Sequence, residues 1–211
     1  MVHIVSFSGV DGSGKSTQAR QVASALNQLG FNATYNTPTY RNLDAVRSYC
    51  TEQYGSPYAY AAEFAPEIYM GALISDWLHW KQVLVPEMPQ DAVLCMDRYA
   101  PDVMAQAIRH GASFGAVAAI MANFPSTAKS YLMDIDPAVA GNRLEARAED
   151  PRNPLENDTA LTLLSQGLAE ARSIWPMTAI DATAGAQEIT ARITAEVAEV
   201  VRAAQPLVGA P

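Results

Sequence analysis

The sequence predicts an α/β fold: a five-stranded parallel sheet with helices on both faces. Three observations predict it. Short apolar runs alternate with longer stretches of helical periodicity, which is how strands buried on both sides of a parallel sheet read. A glycine-rich segment joins the first apolar run to the first helical stretch. Polar groups also collect just after the runs, at the glycine-rich loop, at Asp97-Arg98-Tyr99 and at Asp134 and Asp136. Ligands of such sheets bind beyond the carboxyl ends of the strands.

In chain order, residues 2–8 (VHIVSFS) read as a buried strand. Residues 16–29 read as a helix with Ala19, Val22, Ala23, Leu26 and Leu29 on one face and Gly30 at its end. Residues 31–36 are a second strand, 43–54 a helix, and 59–85 a helical stretch interrupted near Pro66. Residues 92–96 (AVLCM) are a third strand and 130–135 (SYLMDI) a fourth. A helix over 137–148 carries proline in its first turn. A helix over 159–174, a short fifth strand over 177–181 and a terminal helix over 186–203 complete the pattern.

The 211 residues are 49% apolar and 17% charged, a globular composition long enough for a sizeable core. A single domain over 1–204 is expected, with a lid at about 143–158 and a flexible tail at 205–211. Lysine and arginine number 14 against 22 acidic residues, a net charge of −8. Nucleic-acid and membrane-surface partners, which need a basic footprint, are not expected. A small phosphorylated ligand needs only a local nest of amides and a few cations. Cys50 and Cys95 suggest neither a disulfide framework nor a metal site, and no signal peptide or spanning segment is evident. The expectation is a soluble cytoplasmic protein.

Gly9-Val10-Asp11-Gly12-Ser13-Gly14-Lys15-Ser16 matches G-x-x-x-x-G-K-[ST] in the context that pattern requires, a strand before it and a helix after. Its amides can cradle phosphate oxygens at a helix N-terminus, Lys15 can reach the β- and γ-phosphates, and the Ser16 hydroxyl can ligate Mg²⁺. These residues, with Thr17, predict binding of a nucleoside triphosphate with Mg²⁺. Asp11 inside such a loop is costly beside phosphates unless it accepts a hydrogen bond from an acceptor hydroxyl or helps hold the metal through water. A solvated turn aspartate is the alternative.

The stretch from Ser8 to Thr17, with Asp11 inside the loop, resembles the opening of the thymidylate kinases, which share the nucleoside monophosphate kinase fold. Asp97-Arg98-Tyr99 is similar to that family's second signature. Met133 to Pro137 followed by Arg143 resembles its strand leading into the lid, and Ile180-Asp181-Ala182-Thr183 its late strand end near the nucleotide base. The resemblance implies magnesium-dependent transfer from ATP to a nucleoside monophosphate, and a homodimer. It implies that Arg98, whose fork suits a phosphate dianion, holds the acceptor phosphate, and that Asp97 lies near the metal or Lys15. It places Arg143 and Ala182 on the ATP side. No cation stands at Gly12 or Ser13, so the lid is expected to supply the charge that stabilises transfer, from Arg147 or Arg152, with Glu156 orienting it.

On the acceptor side the resemblance implies a pocket built from Asp11, Pro38, Tyr40, Arg41, Tyr69, Leu73, Arg98, Tyr99, Asp102 and Gln106. Here the chain departs from the family. Tyr69 can stack on a base, but Leu73 stands where an arginine is usual. Gln106 stands where an aromatic usually abuts the sugar, Asp102 and Val103 replace a polar pair, and Thr39 replaces an arginine, with Arg41 two places on. The leading expectation is dTMP or a related pyrimidine deoxynucleotide. A modified nucleotide, a non-nucleotide small molecule, or a regulator that binds nucleotide without transfer are the alternatives. Tyr58, Tyr60, Phe64, Tyr69, Trp77 and Trp80 are expected to be core and dimer interface, and His3, His79 and His110 to be structural.

Overall fold

The computed structural model describes residues 2–147 and 153–204. Among them, β1 (His3–Ser8), β2 (Asn32–Asn36), β3 (Ala92–Asp97), β4 (Lys129–Asp134) and β5 (Thr178–Asp181) form one sheet in the order β2-β3-β1-β4-β5. All four pairings are parallel, as predicted. Each strand lies within one residue of its predicted ends. The helices are α1 (Lys15–Gln28), α2 (Arg41–Tyr54), α3 (Tyr60–Glu63), α4 (Pro66–His79), α5 (Ala100–His110), α6 (Phe114–Met121), α7 (Pro137–Glu145), α8 (Asp158–Ile174) and α9 (Ala186–Ala204).

Period-two alternation sends the residues of the central strands into two apolar layers. Val5 and Phe7 of β1 and Val93 and Cys95 of β3 pack with Val22 and Leu26 of α1 and Ile193 and Val197 of α9. Ile4, Leu94 and Met96 belong to a second cluster with Trp77, Trp80, Tyr99 and Met104. Both faces are covered, and the two serines of β1, Ser6 and Ser8, are buried with hydrogen-bond partners in Ser130 and Asp102. Cys50 and Cys95 are buried free thiols.

β1 pairs with β3 on one side and β4 on the other, so the chain reverses its order across the sheet at β1. That switch opens a crevice at the carboxyl ends of the strands, and the glycine-rich loop between β1 and α1 fills it. At Gly12 the backbone has φ +85, and an added Cβ would lie 2.5 Å from the Ala140 carbonyl oxygen. Only glycine lets the loop and α7 approach this closely.

Two helices go unassigned by periodicity. They are α5 and α6. In α5 the reason is burial: Ala100 through Ala107 are all buried, and its polar residues Asp102, Gln106, Arg109 and His110 line an interior cavity, the reverse of the polar-out pattern of a surface helix. α5 lies hard against α8, where a Cβ on Gly167 would stand 2.6 Å from the Ala105 Cα. The stretch expected over 59–85 divides before Pro66, which starts α4, and ends in a π turn at Trp80–Leu84 and a 3₁₀ turn at Val85–Glu87. Pro137 starts α7 as predicted. Of the predicted lid, residues 148–152 lie outside the described residues, as does the predicted tail. No helix among the described residues is long and apolar enough to cross a membrane.

Candidate active site

The glycine-rich loop ends at Gly14 (φ 89), and α1 begins at Lys15. The Ser13 amide donates to the Val10 carbonyl at 3.1 Å, closing the turn. Lys15 is only 4% exposed, and its Nζ donates to the Val10 carbonyl at 3.1 Å and to Asp11 at 3.3 Å. Burial and then the neighbouring Arg98 charge lower the Lys15 pKa, while Asp11, Asp102 and Asp97 pull the other way.

Asp11 is the hub of the site. Arg98 and Lys15 both bond to its Oδ1, and Arg109 donates to its Oδ2 at 3.4 Å. Burial opposes the Asp11 charge, but Arg98, Lys15 and Arg109 outweigh it and hold the carboxyl far below the usual carboxylate range. Partial burial likewise opposes the Arg98 charge, yet Asp11 and then Asp102 keep it cationic. Three cations thus meet on the Asp11 carboxylate. Two of their donors, Arg98 Nη1 and Arg109 Nε, are buried with no hydrogen-bond partner among the described residues. Guanidinium donors without partners suit a phosphate dianion. Arg98 is also the residue other than glycine with positive φ among the described residues, at 76, and its amide donates to the Phe7 carbonyl at 3.0 Å. Such a backbone costs of order 1–3 kcal/mol and persists where the surroundings impose it.

Asp102 ties α5 to the loop. Its carboxylate accepts from the Ser8 hydroxyl at 2.6 Å, the Tyr99 amide at 3.0 Å and the Gly9 amide at 3.4 Å. Burial raises its pKa against the pull of Arg98 and the Ser8 hydrogen bond. Asp97, at the end of β3, accepts from the Tyr35 hydroxyl at 3.0 Å through Oδ2, while Oδ1 is buried without a partner among the described residues. That free oxygen and the Ser16 hydroxyl in the first turn of α1 are hard donors that fit Mg²⁺ held with waters and phosphate oxygens.

A cavity of about 210 Å³ opens beside Asp11 and Arg98. Its far end is aromatic. Tyr60 and Tyr69 stack with ring centroids 4.8 Å apart, and the His110 ring lies 4.1 Å from Tyr69. Burial raises the Tyr69 pKa to about 12. Burial, and then the Arg109 charge, lowers His110 to about 4, so it is neutral at neutral pH.

The family model described as thymidylate kinase matches residues 7–193. The chain belongs to the thymidylate kinase family. A thymidylate kinase of Xylella fastidiosa (strain 9a5c) is 28% identical over 98% of this chain and 96% of its own length. That of strain Temecula1 / ATCC 700964 is 27% identical over the same shares.

The structure gathers most of the residues that resemble thymidylate kinase signatures. Gly9, Asp11, Gly12, Ser13, Gly14, Lys15, Ser16 and Thr17 lie on the loop and the first turn of α1. Arg143 donates to the Ala182 carbonyl at 2.9 Å, which joins two residues expected on the ATP side. Tyr40, Tyr69, Leu73, Arg98, Asp102 and Gln106 line the cavity beside Asp11.

Other expectations are corrected. Tyr99 is fully buried on the opposite side, its hydroxyl donating to the Pro125 carbonyl and its ring packed among Trp77, Trp80, Phe124 and Trp175. The left-handed backbone of Arg98 turns the chain, so neighbours in sequence point apart. Asp102 lines the cavity, but its hydrogen bonds go to protein groups, which makes it a positioning residue. Arg41 is exposed at the start of α2 and off the cavity wall, because Asp76 caps that helix by accepting from the Asn42 and Leu43 amides. Pro38 is buried in the preceding loop, also off the wall. Arg147 is exposed beyond the end of α7, close enough to act on the Glu156 charge, and Arg152 lies outside the described residues.

Sequence reasoning missed Arg47, Tyr60, Arg109 and His110, which line the cavity. Arg109 is the most consequential, since it bonds both Asp11 and the Leu155 carbonyl from the lid side. Once 100–110 is known to be helical, Asp102, Gln106, Arg109 and His110 fall on one stripe at helical spacing.

Proposed function

We propose that this member of the thymidylate kinase family transfers the γ-phosphoryl group of ATP to the phosphate of a nucleoside monophosphate, most directly dTMP or a related pyrimidine deoxynucleotide. The observation that carries the reading is the Asp11 hub, where Lys15 of the phosphate loop and the cavity cations Arg98 and Arg109 meet on one carboxylate. A donor and an acceptor phosphate brought to that point face each other. The relatives' names support the acceptor.

In this mechanism the loop amides and Lys15 hold the β- and γ-phosphates of ATP. Ser16 and Asp97 would hold Mg²⁺, which supplies charge neutralisation to the triphosphate. Arg98 and Arg109 fix the acceptor phosphate through the donors that lack partners. An acceptor phosphate oxygen then forms the new bond to the γ-phosphorus as the bond to the bridging oxygen breaks, leaving ADP. Catalysis is positioning and electrostatics, with no covalent protein intermediate. Arg147 and Arg152 are proposed to bring lid charge to the transferring group, and Arg143 with Ala182 to wall the ATP base. A homodimer acting in the cytoplasm is part of the same reading, on family grounds.

Label transfer from the γ-phosphate of ATP to dTMP tests the proposal. Lys15→Ala is expected to abolish transfer while far-UV circular dichroism and thermal unfolding remain native-like. Full transfer by Lys15→Ala overturns the mechanism.

A further inference from the structure

Tyr35 belongs to β2, an edge strand of the sheet, and its register partner in β3 is Cys95. Register partners point to the same face, and Asp97 stands two residues beyond Cys95, so it shares that face. Two residues of strand rise about 7 Å, a span that the tyrosine ring bridges: its hydroxyl lies 3.0 Å from Asp97 Oδ2. Tyr35 and Cys95 pack with Val22 and Leu26, so α1 covers the same face. Ser16 lies in the first turn of α1, and Arg20 is four residues on, hence on the same side of the helix. The Arg20 guanidinium lies over the Tyr35 ring, 4.5 Å from the centroid, and its Nη2 donates to the Tyr35 hydroxyl at 3.2 Å.

The direction of each hydrogen bond in this series is fixed by the groups themselves. A guanidinium only donates and an ionised carboxylate only accepts. The hydroxyl therefore accepts from Arg20 and has its one proton left for Asp97. Burial, and then the Asp97 charge, raise the Tyr35 pKa, so that proton stays in place at neutral pH. With Oδ2 engaged, Asp97 keeps Oδ1 buried and without a hydrogen-bond partner among the described residues. Exchanging the two oxygens changes nothing, since they are chemically alike. Lys15 does not satisfy the free oxygen, because its Nζ is bonded to the Val10 carbonyl and to Asp11. Folded proteins pair nearly all buried polar atoms, so an exception beside the phosphate loop marks a contact that a ligand completes.

We propose that Tyr35 is a positioning residue for the metal: its hydroxyl, held by Arg20, fixes Asp97 so that the free carboxylate oxygen faces the Mg²⁺ of the bound nucleoside triphosphate. Tyr35 touches neither nucleotide nor metal and acts through Asp97. The assignment rests on the reading of Asp97 as a metal-holding residue. Loss of a hydrogen-bond partner behind a metal-holding group typically costs about 10–100-fold in metal affinity.

The test measures the coupling of metal and nucleotide binding in the full chain. Calorimetry gives the Kd of the β,γ-imido analogue of ATP in EDTA and again with saturating Mg²⁺, and the ratio of the two is the coupling. Tyr35→Phe keeps the ring under Arg20 and removes only the hydroxyl. It is expected to lower the ratio about tenfold, while the Kd in EDTA stays unchanged. The same variant is expected to need more Mg²⁺ for half-maximal phosphoryl transfer and to keep the acceptor KM of wild type. Asp97→Asn is the control for the reading beneath, and is expected to lower the ratio at least as far. An unchanged ratio in Tyr35→Phe, or equal weakening in EDTA and in Mg²⁺, overturns the role of Tyr35 and leaves that of Asp97 standing. An unchanged ratio in Asp97→Asn overturns the metal reading of Asp97 and this inference with it.

Discussion

Gly167→Ala sets two physical effects against each other at the point where α8 supports α5. Alanine is the better helix former, by up to about 1 kcal/mol in a helix interior. The new methyl, however, would stand 2.6 Å from the Ala105 Cα and 2.8 Å from its carbonyl oxygen, and these are backbone atoms that cannot turn aside. Overpacking of that kind costs about 1–3 kcal/mol. The net expectation is a loss of about 1–2 kcal/mol, which for a chain of this size lowers Tm by about 2–8 °C. Gly71→Ala is the control. It lies in the exposed interior of α4 with nothing within 4 Å of an added Cβ, so it is expected to gain about 0.5–1 kcal/mol. Differential scanning calorimetry of the two variants measures the contrast. Because α5 carries Gln106, Arg109 and His110, Gly167→Ala is also expected to raise the acceptor KM several-fold while changing the ATP KM little. A Gly167→Ala protein as stabilised as Gly71→Ala would refute the close α5–α8 packing and the positioning of the cavity that depends on it.

Two further predictions follow from the site. His110 is held neutral down to about pH 4 in the folded chain, against 6.5 when unfolded. The unfolded state therefore binds the proton first, and stability falls as pH drops from 6.5 towards 4. At 1.36 kcal/mol per pH unit the contribution reaches up to about 3 kcal/mol, so His110→Asn is expected to flatten this part of the urea-derived stability profile. An unchanged slope would contradict the burial assigned to the ring. Arg109→Leu removes one of the three cations on Asp11 and the bond to the Leu155 carbonyl, and kcat/KM for the acceptor is expected to fall about 100-fold, the scale of about 2.7 kcal/mol for a lost charged contact in a transition state. Steady-state kinetics decide it: a variant within twofold of wild type removes Arg109 from the site.

The strands and the phosphate loop were legible because their signals are local. Both faces of β1 and β3 are buried, so their runs are mostly apolar, and the loop's spacing matches a phosphate-binding pattern. Asp97 and Arg98 were legible for the same reason, since they stand where a strand ends. The α5 wall was not. Ala100 to Ala107 are all buried and the polar stripe of the helix faces the cavity instead of solvent, so the polar-out pattern of a surface helix is missing, and without the helix Arg109 and His110 have no reason to join Asp102 and Gln106. Tyr99 illustrates a different limit. Adjacency to Arg98 suggests a shared site, but the direction of a side chain depends on backbone angles, and the positive φ of Arg98 sends its neighbour into the aromatic core. Arg41 was misplaced because the cap that fixes the start of α2 comes from Asp76, far away in sequence.

The central claim is that the cavity presents a nucleoside monophosphate to ATP at the Asp11 hub. The most direct measurement is ADP formation with Mg²⁺ and ATP across a panel of dTMP, dUMP, UMP, CMP and 5-substituted deoxyuridylates, with each diphosphate product confirmed by chromatography. The account predicts turnover that depends on a pyrimidine nucleotide acceptor and yields one diphosphate per ADP. ADP formation that no nucleotide on the panel accelerates, or its absence throughout, would contradict it.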